Sequence, residues 1–88
     1  MLDKRFKSLL RGLIYPVQFD EKPADGVDRV LEQVVFAKAM NATLSEYLAA
    51  VEAGLESDER LSGLIPQKHS EPDIRTYLAE IQKRLQSA

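Results

Sequence analysis

The chain has 88 residues, which is enough for one domain, and we treat residues 1–88 as a single helical unit. Hydrophobic residues make up 44% of the chain and charged residues 30%, proportions typical of a globular rather than a disordered protein. Cysteine is absent and histidine occurs once, which excludes disulfides, thiolate chemistry and the usual zinc ligand sets. Twelve basic residues stand against 14 acidic ones, and the net charge of −2 argues against bulk binding of nucleic acid.

The apolar residues recur at helical spacing, and we predict an all-α fold, a compact bundle of four main helices plus a short fifth. In the first helix Asp3 is the predicted N-cap, and Pro16 ends the helix because proline has no N–H to donate. The stripe of this helix consists of Leu2, Phe6, Leu9, Leu10, Leu13 and Ile14.

A loop is predicted from Tyr15 to Asp25, since it contains two prolines and a run of polar residues. Tyr15 and Phe19 belong to no helical stripe. They are therefore either plugs that close the core or contacts for a partner, and plugs are the more common case.

The second helix is predicted to run from near Asp25 to about Met40. Its apolar residues cover much of the circumference, which is typical of a central and deeply buried helix. Val35, Phe36 and Met40 lie off its main stripe. Asn41 is the predicted left-handed terminator of this helix.

Residues with capping chemistry mark the later helix starts. Thr43 and Glu46 form a capping box, in which each side chain accepts from the other residue's backbone N–H. A short helix is predicted to follow Ser57 and to end at Pro66. Ser70 caps the last helix. Two ion pairs four residues apart are expected on that helix, Glu71 with Arg75 and Glu80 with Arg84.

Candidates for catalysis are few. His69 has only Glu71 or Asp73 as nearby acids, and both are explained by a helix start, so a solvated loop histidine is the expected state. The four glycines are isolated, so they form no phosphate-binding loop, and Gly54 marks either a close approach of two helices or a helix end. We expect no catalytic residues, no cofactor and no metal.

Charge is unevenly distributed along the chain. Residues 1–19 carry four bases and one acid, whereas residues 20–60 carry ten acids and four bases. Acidic surfaces attract basic partners and accelerate their encounter, and exposed aromatic side chains are common anchors beside them. The predicted partner-binding set is Glu46, Glu52, Glu56, Asp58 and Glu59, with Tyr15, Phe19 and Tyr47 as anchors.

The first helix has a basic polar side, which could lie on an anionic membrane through residues 1–14. A solvated face of a bundle helix explains the same pattern, and we favour it. With a pI of about 5.3 and no stacking aromatics on that face, nucleic acid is not an expected partner.

The last third of the chain carries a family resemblance. Residues 61–67 read LSGLIPQ, residues 69–71 read HSE, and Ile74, Arg75, Tyr77 and Leu78 follow. This pattern resembles one found in small bacterial immunity proteins, including those of contact-dependent growth inhibition systems. The resemblance implies a cytoplasmic protein that binds a cognate toxin domain, often a nuclease, and occludes its active site.

Three functions therefore follow as hypotheses. The first is an immunity protein that neutralises a cognate toxin through the acidic set. The second is a structural or regulatory bundle that associates with itself, for example as a homodimer. The third is peripheral membrane binding through the basic first helix.

Overall fold

Four helices form within residues 2–37 and 41–87, the part of the chain that the computed structural model describes. No strand occurs in these two ranges, so the all-α prediction is confirmed. Single 3-10 turns occupy Tyr15–Val17, Pro23–Gly26 and Leu61–Gly63. The helices are α1 (Lys4–Ile14), α2 (Val27–Val30), α3 (Leu44–Glu56) and α4 (Glu71–Ser87).

The core lies where α3 packs against α1 on one side and α4 on the other. The predicted central position of the second helix is therefore wrong, because α3 is the helix that contacts both of the other long helices. The largest fully buried side chains come mainly from these three helices and include Leu9, Leu10, Leu13, Ile14, Tyr47, Ile74, Tyr77, Leu78 and Ile81.

The predicted helix starts are confirmed by their hydrogen bonds. Asp3 accepts from the backbone N–H of Arg5 at 2.8 Å. Thr43 and Glu46 form both bonds of the capping box, at 3.0 and 3.1 Å. Ser70 accepts from the N–H of Asp73 at 3.3 Å. Each bond satisfies an N–H group that the first turn of a helix leaves without an intrahelical partner.

The second helix departs from its prediction in length and in register. After α2 the chain continues as a π-helical turn over Leu31–Val35, in which the N–H of Phe36 donates to the carbonyl of Leu31 at 2.8 Å. The wider turn adds a residue, which buries Val35 (1% exposed) and leaves Phe36 52% exposed. Met40 lies outside the described residues. Asn41 has a φ of 55°, which confirms its left-handed conformation.

The connection from α3 to α4 is mostly irregular. The short helix predicted there is a single 3-10 turn, Leu61–Gly63, and Leu61 is fully buried. Gly54 lies under this connection. A Cβ atom on Gly54 would lie 3.0 Å from a methyl carbon of Leu10 and 3.6 Å from one of Leu61, so close approach explains this glycine.

Candidate protein-binding surfaces

The predicted acidic set divides into paired and unpaired residues. Glu46 lies 3.5 Å from the guanidinium of Arg5, and Glu59 lies 3.7 Å from the ammonium of Lys7. The Thr43 backbone hydrogen bond and the nearby Arg5 lower the pKa of Glu46 despite the opposing effect of desolvation. Glu46 therefore attaches α1 to α3, Glu59 attaches α1 to the segment after α3, and both acids are already partly neutralised by the protein itself.

Glu52, Glu56 and Asp58 form no ion pair within the described residues. Glu56 and Asp58 are exposed and Glu52 is half-buried. Glu56 also lines a shallow cleft of about 310 Å³ between the start of α1 and the end of α3. The cleft is lined by Leu2, Asp3, Phe6, Ala53, Glu56 and Ser57, a set with two carboxylates and no cation.

The three predicted aromatic anchors differ in how far they are buried. Tyr47 is fully buried, so its prediction as a partner contact is wrong: its place in the α3 stripe directs the ring into the core. Tyr15 is 65% exposed and Phe19 86% exposed, so the preferred interpretation of this pair as core plugs is also wrong. Val17, which lies between them in the chain, is fully buried and closes the core in their place.

Hydrogen bonds from two helices fix the turn that carries these two rings. Tyr77 of α4 donates its hydroxyl to the carbonyl of Leu13, and burial raises the pKa of that hydroxyl. Arg29 of α2 donates to the carbonyl of Pro16 at 2.9 Å and pairs with Asp20 at 2.7 Å. We call residues 13–20 the aromatic turn.

His69 supplies a further bond to the aromatic turn. Its Nε2 donates to the carbonyl of Val17 at 2.8 Å, and the residue is only 7% exposed. The expected solvated loop histidine is therefore wrong, because the α3–α4 connection folds His69 against a turn that lies 52 residues earlier in the chain. No local pattern signals such a contact.

Glu71 and Arg75 form the confirmed ion pair at 2.8 Å, and the pair organises the whole α3–α4 connection. Arg75 donates to the carbonyls of Leu55, Ser57 and Glu59 at distances of 2.9 to 3.1 Å. Because the bonds span two helices and a loop, the sequence predicted only the pair and missed the network.

The carboxylate of Glu71 completes this network. It accepts from the N–H groups of Leu61 and Ser62 at 3.0 and 2.8 Å. Burial raises the pKa of Glu71, but these two backbone bonds and Arg75 outweigh that effect and lower the pKa from 4.5 to about 2. His69 and Glu71, which are close in the sequence, thus bind separate partners. The described residues contain no group of three or more acids or histidines that could hold a metal ion.

The basic residues of α1 are largely occupied. Arg5 and Lys7 pair with Glu46 and Glu59, and Arg11 donates to the carbonyl of Leu64 at 3.2 Å. The apolar side of α1 faces α3, so it is not available to a lipid surface in this fold. In residues 2–37 and 41–87, every helix is too short or too polar to cross a bilayer.

The aromatic turn and the acidic cleft lie at opposite ends of α1. Asp3 precedes this helix of 11 residues and Tyr15 follows it, so about 16 Å of helix separates the two surfaces. The residues predicted as one partner-binding set therefore lie on two separate surfaces.

Comparisons with protein-family models, with curated proteins and with solved structures find no match for this chain.

Proposed function

We propose that this protein acts by binding another protein and covering part of its surface. The observation that carries the proposal is the aromatic turn, in which Tyr15 and Phe19 are 65% and 86% exposed on a tightly held backbone. Burying an exposed ring against a partner is favourable, and a backbone that is already ordered loses little entropy when it binds. Rigid aromatic side chains of this kind are common interface anchors.

The charge of the protein favours a basic partner. The net charge is −2, and the cations of α1 neutralise Glu46 and Glu59 but not Glu52, Glu56 or Asp58. An unpaired acidic face would attract a basic surface over a distance of about 10 Å at moderate salt.

In its specific form the proposal follows the immunity-protein resemblance. The partner is a bacterial toxin domain, a nuclease with a basic substrate cleft, and this protein occludes that cleft in the cytoplasm. Negative charge on the inhibitor replaces that of the nucleic acid, and the aromatic turn adds the apolar contact. Support comes from the charge distribution and from the exposed rings, together with the pattern in residues 61–78.

The test is coexpression with the C-terminal domain of a large secreted protein encoded immediately upstream of this gene, where one is found. We expect cells to survive only when this protein is present. The double variant Y15A/F19A should bind the purified toxin domain at least ~100-fold more weakly, since interface anchors each contribute about 2 kcal/mol or more. F36A, which truncates another exposed ring, is the matched control and should bind as the parent does. Parental binding and protection by Y15A/F19A would overturn the proposal.

A charge reversal tests the acidic face independently. E52K/E56K should slow association about tenfold at low salt and flatten its dependence on salt, because exposed charges act mainly on the association rate. D25K/E32K makes the same change of net charge in the turns before and after α2 and should have a smaller effect. Equal effects of the two double variants would show that only net charge matters.

Self-association is the second candidate function, favoured by one observation. Phe36 and Leu44 are 52% and 40% exposed and line a hollow of about 150 Å³ together with Val35 and Ala42. A second copy could cover this apolar surface, although Val35 itself is buried within one chain. Light scattering between about 10 μM and 1 mM decides the question: a constant monomer mass removes this candidate, and a mass that F36A lowers supports it.

A further inference from the structure

We infer that the cleft between the start of α1 and the end of α3 takes the cationic side chain of a lysine or arginine from the partner. The inference deepens the proposed function and rests on it, because it names the chemistry by which a basic protein would be recognised. It concerns a surface about 16 Å of helix away from the aromatic turn, so the two surfaces can be tested separately.

The lining of the cleft has the two parts that a long cationic side chain requires. Leu2, Phe6 and Ala53 give it an apolar part, against which a methylene stem or a guanidinium face can pack. Asp3 and Glu56 place carboxylates at the same cleft. A volume of about 310 Å³ is enough for one such side chain.

The charge of these two acids is not balanced from within the described chain. Asp3 uses one oxygen to cap α1, and no ion pair forms at either Asp3 or Glu56 in the described ranges. Lys7, the nearby cation of α1, is bound to Glu59. A cation that enters the cleft would therefore meet unneutralised negative charge.

The end of α3 leaves the charge of Glu56 uncompensated. The carboxyl end of a helix carries partial negative charge and favours basic residues, yet the last turn of α3 has no base and ends in Glu56. Arg75 donates to the carbonyls of Leu55 and Ser57 and pairs with Glu71, so it satisfies the helix end but not the Glu56 carboxylate. An incoming cation would pair with that carboxylate.

The experiment titrates the full chain with N-acetyl-arginine amide and follows backbone amide shifts by NMR. N-acetyl-citrulline amide, which has nearly the same shape without the charge, is the matched ligand. We expect saturable shifts at Phe6, Ala53 and Glu56 with the arginine compound, with a dissociation constant of about 1–10 mM, and none with the citrulline compound.

Three variants locate the binding. D3N/E56Q should weaken binding at least ~5-fold, and asparagine keeps the helix cap so that α1 is retained. D25N/E32Q makes the same charge change elsewhere and should bind as the parent does. A53L fills the cleft without changing charge and should abolish the saturable shifts. Equal shifts with citrulline amide, or parental binding by D3N/E56Q and A53L, would overturn the inference.

Separate experimental outcomes would overturn cation binding in the cleft and the proposed function. If D3N/E56Q loses arginine binding but still neutralises the toxin as the parent does, the cleft is not part of the interface and the inference is overturned. If the parent binds arginine amide in the cleft but gives no protection in cells and does not bind the toxin domain, the proposed function is overturned.

Discussion

Two irregular segments of this protein are held in place by the same kind of hydrogen bond but differ in the solvent exposure of their apolar and aromatic side chains. The aromatic turn and the α3–α4 connection are both fixed by side chains that bond to backbone groups. The connection buries Leu61 completely, and the aromatic turn buries Val17 completely but leaves Tyr15 and Phe19 exposed. Similar restraint thus contributes to the core in both segments, and in the aromatic turn it also holds two rings in solvent.

The largest expected effect comes from exchanging one apolar side chain in each segment for alanine. L61A should lower the free energy of unfolding by about 2–5 kcal/mol, since it leaves a cavity in the core. F19A should change it by less than about 0.5 kcal/mol, because the ring is 86% exposed. Urea unfolding followed by circular dichroism measures both. A large decrease in the free energy of unfolding with F19A would mean that the exposed ring stabilises the fold, contrary to its proposed role as a partner contact.

The network of the α3–α4 connection gives the next effect. R75A should cost about 2–4 kcal/mol, because three backbone carbonyls and Glu71 lose their charged donor together. R84A is the matched control. Among the described residues Arg84 binds the exposed carboxylates of Asp28 and Glu80, so its loss should lower the stability far less than the loss of Arg75. Equal thermal midpoints of the two variants would contradict the structural role of Arg75.

Acid should weaken the same network. The pKa of Glu71 is about 2 in the folded protein, against an ordinary value of 4.5, so the unfolded state binds more protons between these values. The stabilisation is therefore complete above about pH 4.5 and is lost as the pH falls toward 2. E71Q should cost about 1–3 kcal/mol at pH 6 and much less near pH 2.5, as measured by urea unfolding. E21Q, at an exposed site, is the control, and an E71Q loss that is equal at both pH values would contradict the prediction.

The smallest effect tests the restraint on the aromatic turn. Y77F removes the donor to the carbonyl of Leu13 and should cost about 1 kcal/mol. Amide hydrogen exchange at residues 13–20 should become faster at the same time. Y15F removes a hydroxyl from a ring that is 65% exposed and should change neither quantity. Unchanged exchange in Y77F would show that the turn is held by its other bonds alone.

Local chemistry made several elements predictable. The starts of α1, α3 and α4 follow from side chains that bond to N–H groups two or three residues away, so the sequence contains both partners. Asn41 and the two ion pairs of α4 follow for the same reason. The second helix was less predictable, since the π-turn shifts its register and buries Val35, which lies off the predicted apolar stripe.

The candidate surfaces were only partly predictable. Sequence reasoning selected Tyr15, Phe19, Glu52 and Glu56, but it grouped them as one surface and included the buried Tyr47. It also placed Glu46 and Glu59 on a free acidic face, whereas the packing of α1 against α3 and the segment after it pairs them with Arg5 and Lys7. Which charges remain unpaired depends on how the helices pack, and no spacing along the chain encodes it.

The amino-acid sequence by itself determined the helical class, the helix starts and the absence of cysteine chemistry, since each depends on composition or on residues within about one turn of each other. The tertiary structure alone decided that His69 is buried, that Arg75 ties one connection together and that two aromatic rings are displayed on a fixed turn. Those outcomes depend on contacts between residues 16 to 64 positions apart, whose geometry exists only once the helices have packed.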